Sequence, residues 1–280
     1  MSISAFFTEI YFKFKKIKTN NPKFLTPEGR YPYPPEFKNI KTDIMSFKTR
    51  NYFKLYSPGE KKGVILYLHG GSYELSFSRQ HWLFSEKLIK ATKYDLYAPD
   101  YYLIPYTYEN NYEMLMSIYK EINENYGDNI ILLRDSAGGG LAIGFCMYLR
   151  DHGINLPKKV ITISPWLDLS LKNEDIKIYD KKDPFLNVKS LSEIQHLYAP
   201  HNSHNPYVSP IYGDFKNLPE IYIFFGTKDI LYPDALKLKN LNIKNINFFI
   251  IPDMLHNYIF LPVKEAKISF GKITDIISDK

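Results

Sequence analysis

Three residues of this chain have the types and the order that nucleophilic catalysis requires: Ser136, Asp229 and His256. A serine hydroxyl attacks poorly until a base takes its proton, and an imidazole base works best when a carboxylate fixes its tautomer. Ser136 lies in RDSAGGG, Asp229 in IYIFFGTKD and His256 in IIPDMLH. Attack on a carbonyl also builds negative charge on oxygen, which needs preorganised donors. The stretch HGGSY, His69 to Tyr73, supplies them: the backbone N–H groups of Gly70 and Gly71 are unobstructed by side chains, and the N–H of Ala137 stands beside the serine.

Each residue has a plainer reading. Ser136 can be a helix N-cap, Asp229 a turn former and His256 an exposed loop histidine. Those readings must together explain three residues in the right places and the right order. A second set competes: His69, Asp100 and Ser136 run in the order found in chymotrypsin-type enzymes, which are all-β. The elements that carry these residues therefore decide between the two.

Apolar runs and helical patterns alternate along most of the chain. DIMSFKTRNYFKLYSP reads as two short antiparallel strands. GVILYLHGG, DLYAPDYY, NIILLRD, KKVITISPW, EIYIFFGTKD and NINFFIIPD read as further strands, with helical segments between them and at the C-terminus. Strands alternating with helices predict an α/β fold, a mostly parallel sheet covered on both faces. Ligands of such sheets bind beyond the carboxyl ends of the strands, and HGG, DS, GTKD and PDMLH all fall there. This architecture excludes the all-β alternative, so His256 is the expected base and His69 is expected to hold its loop in place. Residues from about 170 to 212 break the alternation with Pro184, Pro200, Pro206 and Pro210 and one helical piece around Val188 to Tyr198, and read as an insertion over the sheet.

Composition narrows the class further. Hydrophobic residues make up 45% and charged residues 24% of 280 residues, ordinary for a chain that buries a core. The net charge of +6 is spread along the chain, so no nucleic-acid partner is expected. One cysteine, Cys146, excludes an internal disulfide or a cysteine-built metal site and suits a cytoplasmic location. Ile3, Phe6, Phe7, Ile10, Phe14 and Ile17 recur at helical spacing and predict an N-terminal amphipathic helix, part of a lid or a membrane-surface contact. No stretch is long and apolar enough for stable membrane insertion.

On His69-Gly70-Gly71, DYYLIP, RDSAGGG, SPWLDLS, DPFL, SPIYGDFKNLPEIYIFFGTKDIL and His256, the chain resembles the hormone-sensitive-lipase-like α/β-hydrolase esterases over most of its length. The resemblance implies a serine esterase of short acyl chains, with no metal or organic cofactor and a small-molecule ester as partner; a homodimer is left open. It implies a cap built from residues 1–40 and the insertion at about 170–212, on a catalytic domain spanning 41–280. Tyr73 and Trp166 are expected to line an aromatic cleft. A serine peptidase or amidase on the same fold and a non-catalytic ligand-binding homologue are the alternatives. The departures are specific. Arg134 replaces the first glycine of the G-x-S-x-G elbow, and is expected either to crowd the turn or to snorkel away from it. Tyr102 and Tyr106 stand where the family usually carries Arg and Glu, and HGGS replaces HGGG.

Overall fold

The computed structural model describes Ser2 and residues 32–280. The expected N-terminal helix, and with it most of the 1–40 cap segment, lies outside the described residues.

Among the described residues, eight strands form one sheet: β1 (Lys41–Phe47), β2 (Arg50–Tyr56), β3 (Val64–Leu68), β4 (Asp95–Pro99), β5 (Ile130–Asp135), β6 (Lys159–Ile163), β7 (Glu220–Gly226) and β8 (Ile246–Ile251). Their spatial order is β1-β2-β4-β3-β5-β6-β7-β8. The β1–β2 and β2–β4 pairings are antiparallel, and every pairing from β4 through β3 to β8 is parallel. Both faces of the central strands are covered, so β3 and β5 are buried at every position, and all of β3 and the first four residues of β5 are apolar.

Among the described residues, seven helices connect and cover the strands: α1 (Arg79–Thr92), α2 (Tyr108–Tyr126), α3 (Ser136–Asp151), α4 (Ile176–Asp180), α5 (Val188–Tyr198), α6 (Tyr232–Asn240) and α7 (Lys264–Ile277). Side chains alternate across each strand, so two cores form. On one face, Leu66 and Leu132 meet Leu115 of α2, Phe145 of α3 and Leu238 of α6. On the other, Ile65 and Leu133 meet Trp82 and Leu88 of α1 and Ile273 of α7. The insertion contributes Leu191, Ile194 and Tyr198 of α5 to the first core.

The topology places the site. From β3 the chain crosses to β4 on one side, then returns past β3 to β5 on the other. The carboxyl ends of β3 and β5 thus flank the point where strand order reverses, the usual crevice for ligands in such sheets. Leu68 pairs with Arg134 there, so the HGG loop and the serine turn start side by side.

Candidate active site

Ser136 opens α3 directly after β5, with φ +50°. A non-glycine residue in this left-handed region is strained by about 1–3 kcal/mol, and the turn that imposes it lifts the hydroxyl off the sheet. The turn closes tightly because Gly138 lacks a side chain: a Cβ there would sit 2.6 Å from the Leu68 carbonyl oxygen.

His256 and Asp229 come to the serine from the loops after β8 and β7. The His256 Nε2 lies 3.0 Å from Ser136 Oγ, and its Nδ1 lies 3.0 Å from Asp229 Oδ2. All three side chains are at most 6% exposed. Their loops are tied to one another: the Lys228 N–H donates to the Met254 carbonyl, and the Asp253 N–H to Thr227 Oγ1. Asn257, next to the imidazole, donates from Nδ2 to Asp135 Oδ2 at 3.0 Å, joining the histidine loop to the serine turn. Burial works against a charged imidazole, but the carboxylates of Asp229, Asp183 and Asp135 outweigh it and hold His256 above its ordinary 6.5.

The competing set does not assemble: His69 Nε2 comes to 3.8 Å from Asp100 Oδ1 without a hydrogen bond, and among the described residues no hydrogen bond joins His69 to Ser136. His69 donates from Nδ1 to the Gly70 carbonyl at 2.7 Å and stacks on Tyr101. Burial, with His81 nearby, drives its pKa down to about 3, so it stays neutral. Asp100 is paired with Arg50 at 2.9 Å. His69 therefore shapes the loop, as the sequence led us to expect.

The oxyanion loop needs a correction. The Gly70 backbone N–H faces the buried Asp135 carboxylate, and together with His81 it lowers that carboxyl against the opposing effect of burial. A Cβ on Gly70 would run into Asp135 Oδ2. Gly70 is thus committed to bracing the loop against the serine turn. The next amides, Gly71 and Ser72, have no hydrogen-bond acceptor among the described residues. Ser72, with φ +54°, joins Gly71 and Ala137 as a candidate donor. Only the turn geometry, invisible in the string HGGS, distinguishes the first amide from the next two.

Tyr73 and Trp166 are also corrected. Both are buried, Tyr73 stacked on Tyr198 at 3.7 Å with its hydroxyl donating to the Ala137 carbonyl, and Trp166 donating to the Asp168 carbonyl. They pack the serine turn against the insertion instead of lining an open cleft. A surface cavity of about 390 Å³ between the insertion and α6 is bordered by Asp168, Asn173 and Lys237, away from the triad.

Arg134 does not snorkel. Its side chain is fully buried among Tyr73, Tyr101 and Tyr112 on the α2/α3 side, with Nη1 donating to the Gly138 carbonyl at 3.2 Å. Its Nε and Nη2 have no partner among the described residues. Nor does it strain the turn: Arg134 keeps β-ladder pairing with Leu68 and Thr162, and the positive φ falls on Ser136 alone.

Asp183, Asp229 and His256 bring ligand-type atoms within 4.8 Å of one another, a spacing that could hold a cation. Their atoms already have partners. The imidazole nitrogens serve Ser136 and Asp229, and the Asp183 oxygens accept three backbone N–H groups.

A doubly covered sheet with Ser, Asp and His carried after β5, β7 and β8 at its carboxyl edge defines an enzyme of the α/β-hydrolase type. The comparison with known proteins agrees: residues 65–259 match the model of an alpha/beta hydrolase fold family, and the chain belongs to that family. It is 30% identical over 207 residues to an acetyl-hydrolase of Streptomyces hygroscopicus, covering 71% of this chain and 69% of that protein. It is 27% identical over 181 residues to an esterase of Acinetobacter venetianus, of whose length the match spans 60% and of this chain 63%. Among solved structures, a hormone-sensitive lipase from a metagenome library superposes with a TM-score of 0.88 at 24% identity, covering 100% of this chain and 99% of that one. The EstE5 structure soaked with p-nitrophenyl butyrate gives 0.87 at 22% identity, with the same coverage. Among the described residues no helix is long and apolar enough to cross a membrane.

Proposed function

We propose that the protein is a serine carboxylic-ester hydrolase of short acyl esters, acetyl to butyryl. The observation that carries this reading is the continuous hydrogen-bonded line from Ser136 Oγ through the His256 imidazole to Asp229. In this mechanism His256 Nε2 accepts the Ser136 proton as Oγ bonds to the ester carbonyl carbon. Asp229 holds the tautomer and balances the imidazolium. The N–H groups of Gly71, Ser72 and Ala137 receive the oxyanion, and the N-terminus of α3 adds its partial positive charge. His256 then gives the proton to the leaving alcohol, and a water, activated by the same imidazole, releases the acid from the acyl-enzyme.

The short-acyl preference is supported by the near-complete enclosure of Ser136 and by the name of the acetyl-hydrolase relative. The test is hydrolysis of p-nitrophenyl acetate, butyrate and octanoate by the wild type and by Ser136→Ala. Turnover highest on the two shorter esters and lost in the variant is the expected result. A wild type that prefers the octanoate overturns the chain-length assignment, and an active Ser136→Ala overturns the nucleophile.

A further inference from the structure

The triad has a second carboxylate beside Asp229, that of Asp183, which its mechanism does not require. Asp183 lies in the insertion, between α4 and α5, and is fully buried. Its Oδ1 accepts the N–H groups of Phe185 and Leu186, closing its own turn. Its Oδ2 accepts the N–H of Ile230 at 2.9 Å. Ile230 is the residue directly after Asp229, so one side chain from the insertion grips the turn that carries the catalytic acid.

We infer that Asp183 is a positioning residue of the triad, fixing the Asp229 turn and placing a second negative charge behind the His256 imidazole. The inference rests on the serine-hydrolase reading for its catalytic meaning, but not for its electrostatics. All three hydrogen-bond partners of Asp183 are N–H donors, a pattern that favours an ionised, acceptor-only carboxylate. Two carboxylates this close repel, and a positive imidazolium between the serine and this pair relieves the repulsion. The arrangement therefore favours the state in which His256 has taken the serine proton, with charges already in place before the reaction.

The charges around these groups can be enumerated. Asp183 faces Asp229 and His256; burial and the Asp229 charge push its carboxyl up to about 6, with His256 opposing. His256 faces Asp229, Asp183 and, from the serine turn, Asp135. Asp180 of α4 accepts the Val188 N–H within the insertion, and Lys228, on the Asp229 turn, lies 3.5 Å from Asp253. At neutral pH and above, Asp183 thus adds negative charge to the imidazole's surroundings and raises its proton affinity.

The test is the titration of the His256 imidazole by NMR in the wild type, Asp183→Asn and Asp183→Glu, alongside pH–rate profiles on p-nitrophenyl butyrate. Asn removes the charge and nearly keeps the shape, whereas Glu keeps the charge and changes the shape. Asp183→Asn is expected to lower the His256 pKa by on the order of half a unit or more, and Asp183→Glu to stay closer to the wild type. The acid limb of kcat should move down with it, while KM changes little. If Asp183→Asn does not fold, Asp183→Ser supplies the neutral arm. An unchanged His256 pKa in the neutral variant overturns the inference, as does a loss of rate that is uniform across pH. Because the titration needs no turnover, a shifted imidazole in a protein that hydrolyses no ester would refute the esterase reading alone.

Discussion

Arg134 takes a guanidinium under the serine turn, where no carboxylate meets it among the groups described. Burial pulls its pKa down to about 9, against the attraction of Tyr101, Tyr112, Tyr73 and Asp135, so it is still charged at neutral pH. Its one bond goes to the Gly138 carbonyl, which the α3 helix can satisfy without it. Replacing a buried charge by an apolar residue of similar length is often neutral or stabilising, by about 1–4 kcal/mol. Arg134→Met is therefore expected to melt at or above the wild-type temperature and to keep its hydrolysis of p-nitrophenyl butyrate; a clear drop in Tm would show that the guanidinium holds the turn. His256 governs the pH response. Its folded pKa is raised above 6.5, and only the neutral imidazole can act as base. Activity should rise with pH through a midpoint above 6.5, read from kcat/KM. Stability runs the other way: a raised folded pKa contributes stability that is fully present below the unfolded value and is lost as pH climbs through the folded one.

At the level of elements, the fit between β3 and α3 limits what the site tolerates. A Cβ on Gly138 would meet the carbonyl oxygens of Leu68 and His69 at 2.6 and 2.7 Å, both backbone atoms that cannot rotate aside. Gly138→Ala is expected to lose stability by about 1–3 kcal/mol. Forcing α3 off the sheet moves Ser136 away from its base, so turnover should fall roughly tenfold or more. Gly271 in α7 is the control, because a Cβ there meets nothing within 4 Å. Gly271→Ala should stabilise by about 1 kcal/mol from helix propensity alone. Thermal melts and rates of the two variants together separate a steric effect from a general intolerance of alanine.

Across the whole molecule, the elements legible in the sequence were those whose signal is local. Strand runs bounded by glycine or aspartate, the helix over Val188–Tyr198 and the order of the Ser, Asp and His loops could be read because period and chain order survive in one dimension. What could not be read depends on contacts between distant segments. DPFL was visible as a motif, yet nothing in it says that Asp183 reaches the amide after Asp229. Tyr73 and Trp166 read as cleft residues because nothing local marks an aromatic as core, and packing under the insertion puts both in the core. Arg134 resembled a defect in the serine turn because the motif marks a small residue there, whereas the ladder geometry shows that the backbone strain belongs to the next-but-one residue. Gly70 and Gly71 are identical letters, yet among the described residues only the Gly70 amide has a partner, the Asp135 carboxylate.

The central claim is that Ser136 is the nucleophile of a hydrolase whose base is His256. The most direct measurement is covalent: treat the wild type and His256→Ala with an organophosphate aryl ester, digest, and locate the added phosphoryl group by mass spectrometry. The account predicts stoichiometric label on the peptide containing Ser136 in the wild type and greatly slowed labelling in His256→Ala. Label on another residue, or equal labelling of both proteins, would contradict it.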